Sequence, residues 1–383
     1  MGGMLHLVRR NLTRKKLRTL FTLASVVVAF VLFALLGALS RAFTAGVELA
    51  SADRLVTTNK ISLIQPIPLS YIERVRSLDH VRAVMHYTWF GAYFKEPRNQ
   101  FGLFPTELET INDIYPEYEI PPGQFEALMA NRTGLLIGQA LADEYGWSVG
   151  DRVPLFSTIY PSGDGSFSWE FTIEAIFIGT GNDEAQAFMH YDYFNESRPF
   201  ARDTVGWIVT RIDDPDRAEA VSQAIDDRFA NSPTETKTST EAGFAAGFAA
   251  QFGNIGLIVQ LVLSCVFFTL LLIAGNTMAQ AVRERTGELA VLKTLGFSDA
   301  RVIAMVLGES LLISVLGAAI GLGLGSVFVT GAASSMPQFT GLALDGGTLV
   351  SGLLLAVLLG LITGAWPAWQ AGRLRVVEAL GRR

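Results

Sequence analysis

The sequence predicts a membrane α-helical protein: four transmembrane helices, with a large extracytoplasmic α/β (α+β) domain inserted between helices 1 and 2. Three observations carry that reading. Half of the residues are apolar, 17% are charged, and the mean hydropathy is +0.35. Four stretches are apolar for long enough to cross a bilayer, which takes about 20 residues of helix for about 30 Å of hydrocarbon. The charges are segregated: residues 41–254 carry 16 Lys/Arg against 30 Asp/Glu, and the remainder carries 14 against 6. An acidic middle between basic ends suits a domain on one face of a membrane and ends on the other.

Residues 1–43 combine a basic segment with the first span, about Leu20–Phe43. Leu5, Val8 and Leu12 have helical spacing, which fits either an interfacial helix or an extension of the span. The apolar run is too long for a signal-peptide core and no clear A-x-A site follows it, so it reads as an anchor. The inserted domain occupies 44–254. The second span (255–280) is apolar from Ile255 to Thr277, and a short charged loop (281–301) follows it. Then come the third span (302–330), a short outer loop (331–347), the fourth span (348–369) and a tail (370–383). Orientation follows from the flanks. Arg9, Arg10, Arg14, Lys15, Lys16 and Arg18 precede the first span. Arg283, Arg285, Lys293 and Arg301 lie in the charged loop, and Arg373, Arg375, Arg382 and Arg383 in the tail. Residues 331–347 contain no Lys or Arg. Basic flanks face the cytoplasm, so both termini are expected there and the inserted domain outside.

Within the domain, Ser70–Leu78 reads as a helix and Val81–Tyr87 as a strand. A helix at Gln139–Tyr145 turns through Gly146–Asp151 into the strand Arg152–Phe156. Gly163-Asp-Gly165 marks a hairpin whose returning strand is Trp169–Gly179. Pro215–Phe229 is an amphipathic helix with Ala218, Val221, Ile225 and Phe229 on one face. Asn231–Thr240 is polar and turn-rich, and is expected to end the folded domain. Phe244, Phe248 and Phe252 then form one stripe of a helix leading to the second span. Cys265 is the single cysteine, which excludes an intrachain disulfide. The four histidines lack metal-ligand spacing and the carboxylates pair with no nucleophile, so no catalytic, cofactor or metal site is expected.

The spans carry two glycine stripes, Gly317, Gly321 and Gly325 in the third and Gly360 and Gly364 in the fourth. Such spacing lets helices approach closely in lipid, either within the chain or between copies. Glu309 is the one carboxylate inside a span, and Arg301 or a neighbouring helix end is its expected partner; Asn276 sits near the end of the second span. Spans so poor in ionisable groups make a poor ion pathway. No phosphate-binding loop G-x-x-x-x-G-K-[ST] occurs, so an ATP-driven role requires a separate ATPase.

The charged loop resembles that of the MacB/FtsX-like ABC transporter permeases. That family's pattern, R-x-R-x-x-E-[IL]-x-x-L-[KR]-x-[LI]-G, meets Arg283, Arg285, Glu288, Leu289, Leu292, Lys293, Leu295 and Gly296 here. Pro367, Ala368, Ala371 and Arg373, with Glu378-Ala-Leu380 after them, match the family's C-terminus. Leu136–Ala142 and Val149–Val153 resemble a pattern of its outer domain, and Asn11–Thr19 resembles its start. Thr286-Gly287 departs from the family's helix formers, and Leu374–Val377 lacks its usual proline. The resemblance implies a permease subunit without a fused ATPase, multi-pass in the bacterial inner membrane, in which the loop is a coupling helix. Arg283, Arg285, Glu288, Leu289, Leu292, Lys293 and Gly296 are then its ATPase-coupling residues, with Leu289 and Leu292 as apolar anchors. The implied partners are a cytoplasmic ABC ATPase dimer, a second copy or a related permease, the bilayer and a periplasmic adaptor. ATP and Mg would sit on the ATPase, the chain itself would be non-catalytic, and no nucleic acid is expected. The implied function is mechanotransmission for export. The alternative is an FtsX-like regulator of a periplasmic hydrolase that moves no substrate.

Overall fold

The computed structural model describes residues 15–179, 184–251, 255–335 and 344–374. The expected N-terminal helix spacing and the Glu378–Leu380 match lie outside those residues. The chain divides into two compact units, Ala42–Gly253 with Met336–Gly341, and the remainder.

In chain order, α1 (Lys16–Leu49) opens the described chain. The inserted domain then runs β1 (Arg54–Asn59), β2 (Ile67–Pro68), α2 (Tyr71–Arg76), β3 (Val81–Tyr87), β4 (Ala92–Tyr93) and β5 (Gln100–Thr106). It continues with α3 (Ile111–Ile114), α4 (Pro122–Ala130), β6 (Gly134–Gly138), α5 (Gln139–Tyr145), β7 (Arg152–Ser157) and β8 (Ser168–Phe177). Then follow β9 (Gln186–His190), α6 (Tyr191–Ser197), β10 (Thr204–Val205), β11 (Trp207–Ile212), α7 (Ala218–Arg228), β12 (Thr236–Thr240) and α8 (Glu241–Gln251). The last helices are α9 (Ile255–Glu284), α10 (Thr286–Thr294), α11 (Asp299–Ser335) and α12 (Gly346–Gly372).

The domain holds an antiparallel sheet in the order β12-β1-β11-β3 and a closed barrel in the order β4-β5-β9-β6-β8-β7. Alternation along each strand separates two apolar faces. Leu55, Val84 and Ile208 pack with Tyr71, Val75, Val221 and Ile225 from α2 and α7. Met85, Tyr87 and Val209 face the other way, onto Ile111, Leu136, Phe177 and Phe188. The predicted helices at 70–78, 139–145 and 215–229 and the strands at 81–87, 152–156 and 169–179 are present, with small shifts at their ends.

The segment expected to end the domain does not. Thr236–Thr240 is β12, an edge strand paired with β1 from Asn59↔Thr236 to Leu55↔Thr240. β-Branched threonines take strand geometry readily, and here their polarity is satisfied. Asp226 on α7 accepts from Thr236 Oγ1 (2.9 Å) and Thr238 Oγ1 (2.8 Å), and the Thr57 and Thr238 hydroxyls lie 2.9 Å apart.

In the second unit, four helices are long and apolar enough to cross a membrane: Lys16–Ala42, Gly256–Glu284, Asp299–Ala332 and Gly346–Gly372. Both glycine stripes pack inside the chain. A Cβ on Gly321 would stand 2.6 Å from the Val27 carbonyl, and one on Gly325 2.5 Å from the Ala34 Cβ, so α11 lies directly on α1. Gly317 meets Val26 in the same way. Gly360 faces the backbone of Leu311, and Gly364 faces Ser310. The Ser310 hydroxyl donates to the Gly360 carbonyl (2.8 Å) and shares a bond with Thr363 (2.9 Å), hydroxyl contacts that suit a lipid-embedded interface. Packing within the chain, one of the two uses expected for these glycines, is seen at all five.

Candidate coupling site

The loop between the second and third spans forms a two-and-a-half-turn helix, α10, set off by a break at Arg285. Its far end is a Schellman motif: Gly296 N–H donates to the Lys293 carbonyl (3.0 Å) and Phe297 N–H to the Leu292 carbonyl (3.1 Å). Gly296 has φ +90°, a left-handed conformation that glycine adopts without penalty. The Leu292 and Phe297 side chains each pack at the edge of the same apolar cluster.

The helix has an inner and an outer face. Leu289 (3% exposed) and Ala290 are buried, and Leu289 joins a cluster with Met278, Val282, Val302, Met305 and Ala368. Leu292 is half-buried against the same cluster. Leu289 and Leu292, expected as apolar anchors for the ATPase, pack toward the spans in this structure: a short amphipathic helix needs its apolar stripe to hold it there. The outer face carries Glu288, Val291 and Thr294, with Leu295 at its end; Val291 is 47% and Leu295 73% exposed. Glu288, Val291 and Leu295 stand at i, i+3 and i+7, one stripe of a helix.

The charged residues tie the loop to the spans. At the end of α9, Glu284 accepts from Lys15 (2.6 Å) and from Arg18 (2.5 and 2.9 Å) on the first span. Arg285 pairs with Glu309 on the third span at 2.9 and 3.1 Å, with the Glu309 side chain 8% exposed. Lys293 donates to the Gly372 (2.6 Å) and Leu374 (3.1 Å) carbonyls at the end of α12 and pairs with Asp299 (2.8 Å). It thus caps the carbonyls that the end of a helix leaves unpaired. Because α9 runs into the loop, all four spanning helices meet it. Of the two partners expected for Glu309, Arg301 or a neighbouring helix end, the structure gives the second: it bonds to Arg285, at the junction of α9 and α10. The sequence pattern assigned Lys15 and Arg18 no role beyond orientation, and it did not single out Glu284 or the pairing of Val291 with Leu295. Spacing alone could have paired Val291 with Leu295 but not told the inner face from the outer.

Two family descriptions match the chain: "MacB-like periplasmic core domain" over residues 19–228 and "FtsX-like permease C-terminal" over residues 238–376. The chain belongs to the MacB/FtsX-like ABC transporter permeases. MacB of Nitrobacter winogradskyi, a macrolide export ATP-binding/permease protein, is 34% identical over 128 residues, covering 32% of this permease and 19% of MacB. The ABC transporter permease YknZ of Bacillus subtilis is 28% identical over 134 residues, covering 33% of each chain. The matched stretch thus spans between a fifth and a third of those two relatives. LolC of Xylella fastidiosa, a lipoprotein-releasing system transmembrane protein, is 22% identical over 309 residues, covering 74% of this permease and 73% of LolC. The solved periplasmic region of MacB from Actinobacillus actinomycetemcomitans aligns at a TM-score of 0.37 and 8% identity, over 54% of this permease and 97% of that chain.

Proposed function

We propose that this permease couples ATP hydrolysis by a separate cytoplasmic ABC ATPase to movement of its periplasmic domain, and that the movement exports a substrate. The observation that carries the reading is the tying of the charged loop to the spans: Glu284 at the end of α9 to the first, Arg285 to the third and Lys293 to the fourth. The Arg285–Glu309 pair, of low exposure, resists separation, because removing one partner strands the other at a cost of about 3–5 kcal/mol. A displacement of the loop is therefore shared among the spans instead of being absorbed by a flexible joint. The basic flanks support a loop and both termini on the cytoplasmic side of a bacterial inner membrane.

In this reading the ATPase contacts Glu288, Val291 and Leu295, while Leu289, Leu292, Lys293 and Gly296 shape the helix and hold it in place. The relatives named for macrolide export and for lipoprotein release both move a molecule, which favours export over regulation of a periplasmic hydrolase. ATP and Mg belong to the ATPase, and a second permease completes the complex, with a periplasmic adaptor as a further partner.

The test uses the permease co-purified with its ATPase in lipid nanodiscs. Val291→Asp and Leu295→Asp should each cut permease-stimulated ATP hydrolysis by at least about tenfold, the loss expected when a carboxylate is forced into an apolar contact worth about 1.5 kcal/mol or more. Both substitutions sit on an exposed face, so membrane insertion should be unchanged. Stimulation equal to wild type in both variants would remove the docking assignment.

A further inference from the structure

The C-terminal motif Pro367, Ala368, Ala371 and Arg373 has an inner and an outer part. Pro367, Ala368 and Ala371 are buried, and the two alanines join the cluster that holds Leu289. Arg373 caps the end of α12 and is exposed. Its guanidinium carbon lies 4.3 Å from the centre of the Trp369 ring. Trp369 in turn stacks on Trp366, with centroids 5.2 Å apart and planes at 29°. Both rings are open to the surroundings, Trp366 at 62% and Trp369 at 44%. Among the described residues no ion pair holds Arg373.

The ladder continues along the helix. Leu358, Ile362, Trp366, Trp369 and Arg373 follow at intervals of three and four residues, and all five are exposed on one face. The rise from Leu358 to Trp369 is about 16 Å, close to half of a bilayer's hydrocarbon thickness, about 15 Å. The apolar part therefore matches one leaflet, the indoles fall at the aromatic belt, and the cation stands one turn beyond, at headgroup depth. Exposed tryptophans at that depth anchor a helix to any lipid, but Arg373 adds a preference among headgroups. Stacking on the indole fixes the plane of the guanidinium and leaves its edge N–H groups available to a phosphate. The last carbonyls of a helix would repel an anion there. Lys293 offsets that repulsion: it donates to the Gly372 and Leu374 carbonyls, and its own carboxylate partner is Asp299.

We propose that this face of α12 binds a phospholipid with an anionic headgroup. The phosphate meets Arg373, the glycerol lies beside the stacked indoles, and an acyl chain runs along Ile362 and Leu358. A zwitterionic lipid offers the same chain and the same phosphate. Its headgroup has no net charge, so the attraction to Arg373 is weaker. A second permease seated on this face would instead shield the indoles from lipid. The site needs neither the ATPase nor an exported substrate, so it stands or falls apart from the coupling role of α10.

The experiment uses the full-length permease in phosphatidylcholine vesicles. A growing fraction of the lipid is replaced by phosphatidylglycerol or by phosphatidylcholine, each brominated on its acyl chains, because bromine quenches an indole on contact. Of the six tryptophans, Trp366 and Trp369 alone lie in a spanning helix, and Trp366→Phe with Trp369→Phe supplies the background from the other four. The relative affinity for phosphatidylglycerol over phosphatidylcholine should be about fivefold, the effect of one cation at an anionic headgroup. Arg373→Gln should bring the ratio to about one, with quenching by brominated phosphatidylcholine and circular dichroism unchanged. Sodium chloride at about 0.5 M should at least halve the ratio in the wild type, a readout that requires no variant. Equal affinity for the two lipids in the wild type, or a ratio indifferent to Arg373→Gln or to salt, would overturn the proposal. So would tryptophans that neither lipid quenches, the result expected if a second permease covers the face.

Discussion

Replacing Arg54 by methionine should cost the periplasmic domain about 2–4 kcal/mol. Arg54 begins β1, its side chain is 6% exposed, and it holds Glu117 at 2.5 Å and Glu241 at 2.8 Å. Its guanidinium also lies 4.6 Å from the centre of the Tyr115 ring. Burial alone would pull the guanidinium pKa down, yet Glu241 and Glu117 hold it above the usual arginine value. Methionine keeps most of the volume and removes the charge, leaving two carboxylates behind. Stranding the partner of a buried pair costs about 3–5 kcal/mol. The stranded Glu117 and Glu241 retain 28% and 22% exposure, and that access to water lowers the figure. For a domain of this size about 1 kcal/mol moves Tm by 2–4 °C, so the shift should be about 4–16 °C. Tryptophan fluorescence reads it, because Trp169 is buried in the domain and reports loss of its packing. In a double-mutant cycle, Arg54→Met with Glu241→Gln should lose less than the two single changes added, since the second removes a charge the first has stranded. A shift under about 2 °C with strictly additive variants would refute the reasoning.

Two other outcomes follow from the structure. Buried on β3, His86 titrates at about 3 when folded and near 6.5 when unfolded. Its contribution to stability is complete above pH 6.5 and is lost as the pH falls toward 3, at up to about 1.4 kcal/mol per pH unit. His86→Phe should therefore flatten the acid side of the stability profile between those values, and parallel profiles for the two proteins would contradict it. Gly321→Val should disrupt the packing of α11 on α1, because its Cβ meets the Val27 carbonyl at 2.6 Å, while Gly323→Ala projects into open space and should be silent. Protease protection of the detergent-solubilised permease separates the two, and equal protection would count against the packing.

The membrane unit was legible because its signals are long. Four apolar runs and three basic flanks locate the spans to within a few residues, and the structure extends each by a turn or more. The barrel was largely hidden, since β6 and β9 are short apolar runs whose partners lie far along the chain. β12 escaped because its threonines look like a linker until Asp226 supplies their partners. The loop was visible as a pattern, but the pattern does not carry direction. Leu289 and Leu295 are both apolar members of one short helix, and three-dimensional packing alone decides that the first is buried and the second exposed.

The central claim is that energy delivered to the loop reaches the periplasmic domain. Pulsed electron paramagnetic resonance tests it most directly. Cys265 is the single cysteine, so Cys265→Ser with Asp164→Cys places one spin label on an exposed turn of the domain in each permease of the assembled complex. Trapping the ATPase with ATP and vanadate should shift the distance distribution between the labels, and Val291→Asp with Leu295→Asp should abolish the shift. An identical distribution with and without trapped nucleotide, in a complex that hydrolyses ATP, would contradict the account.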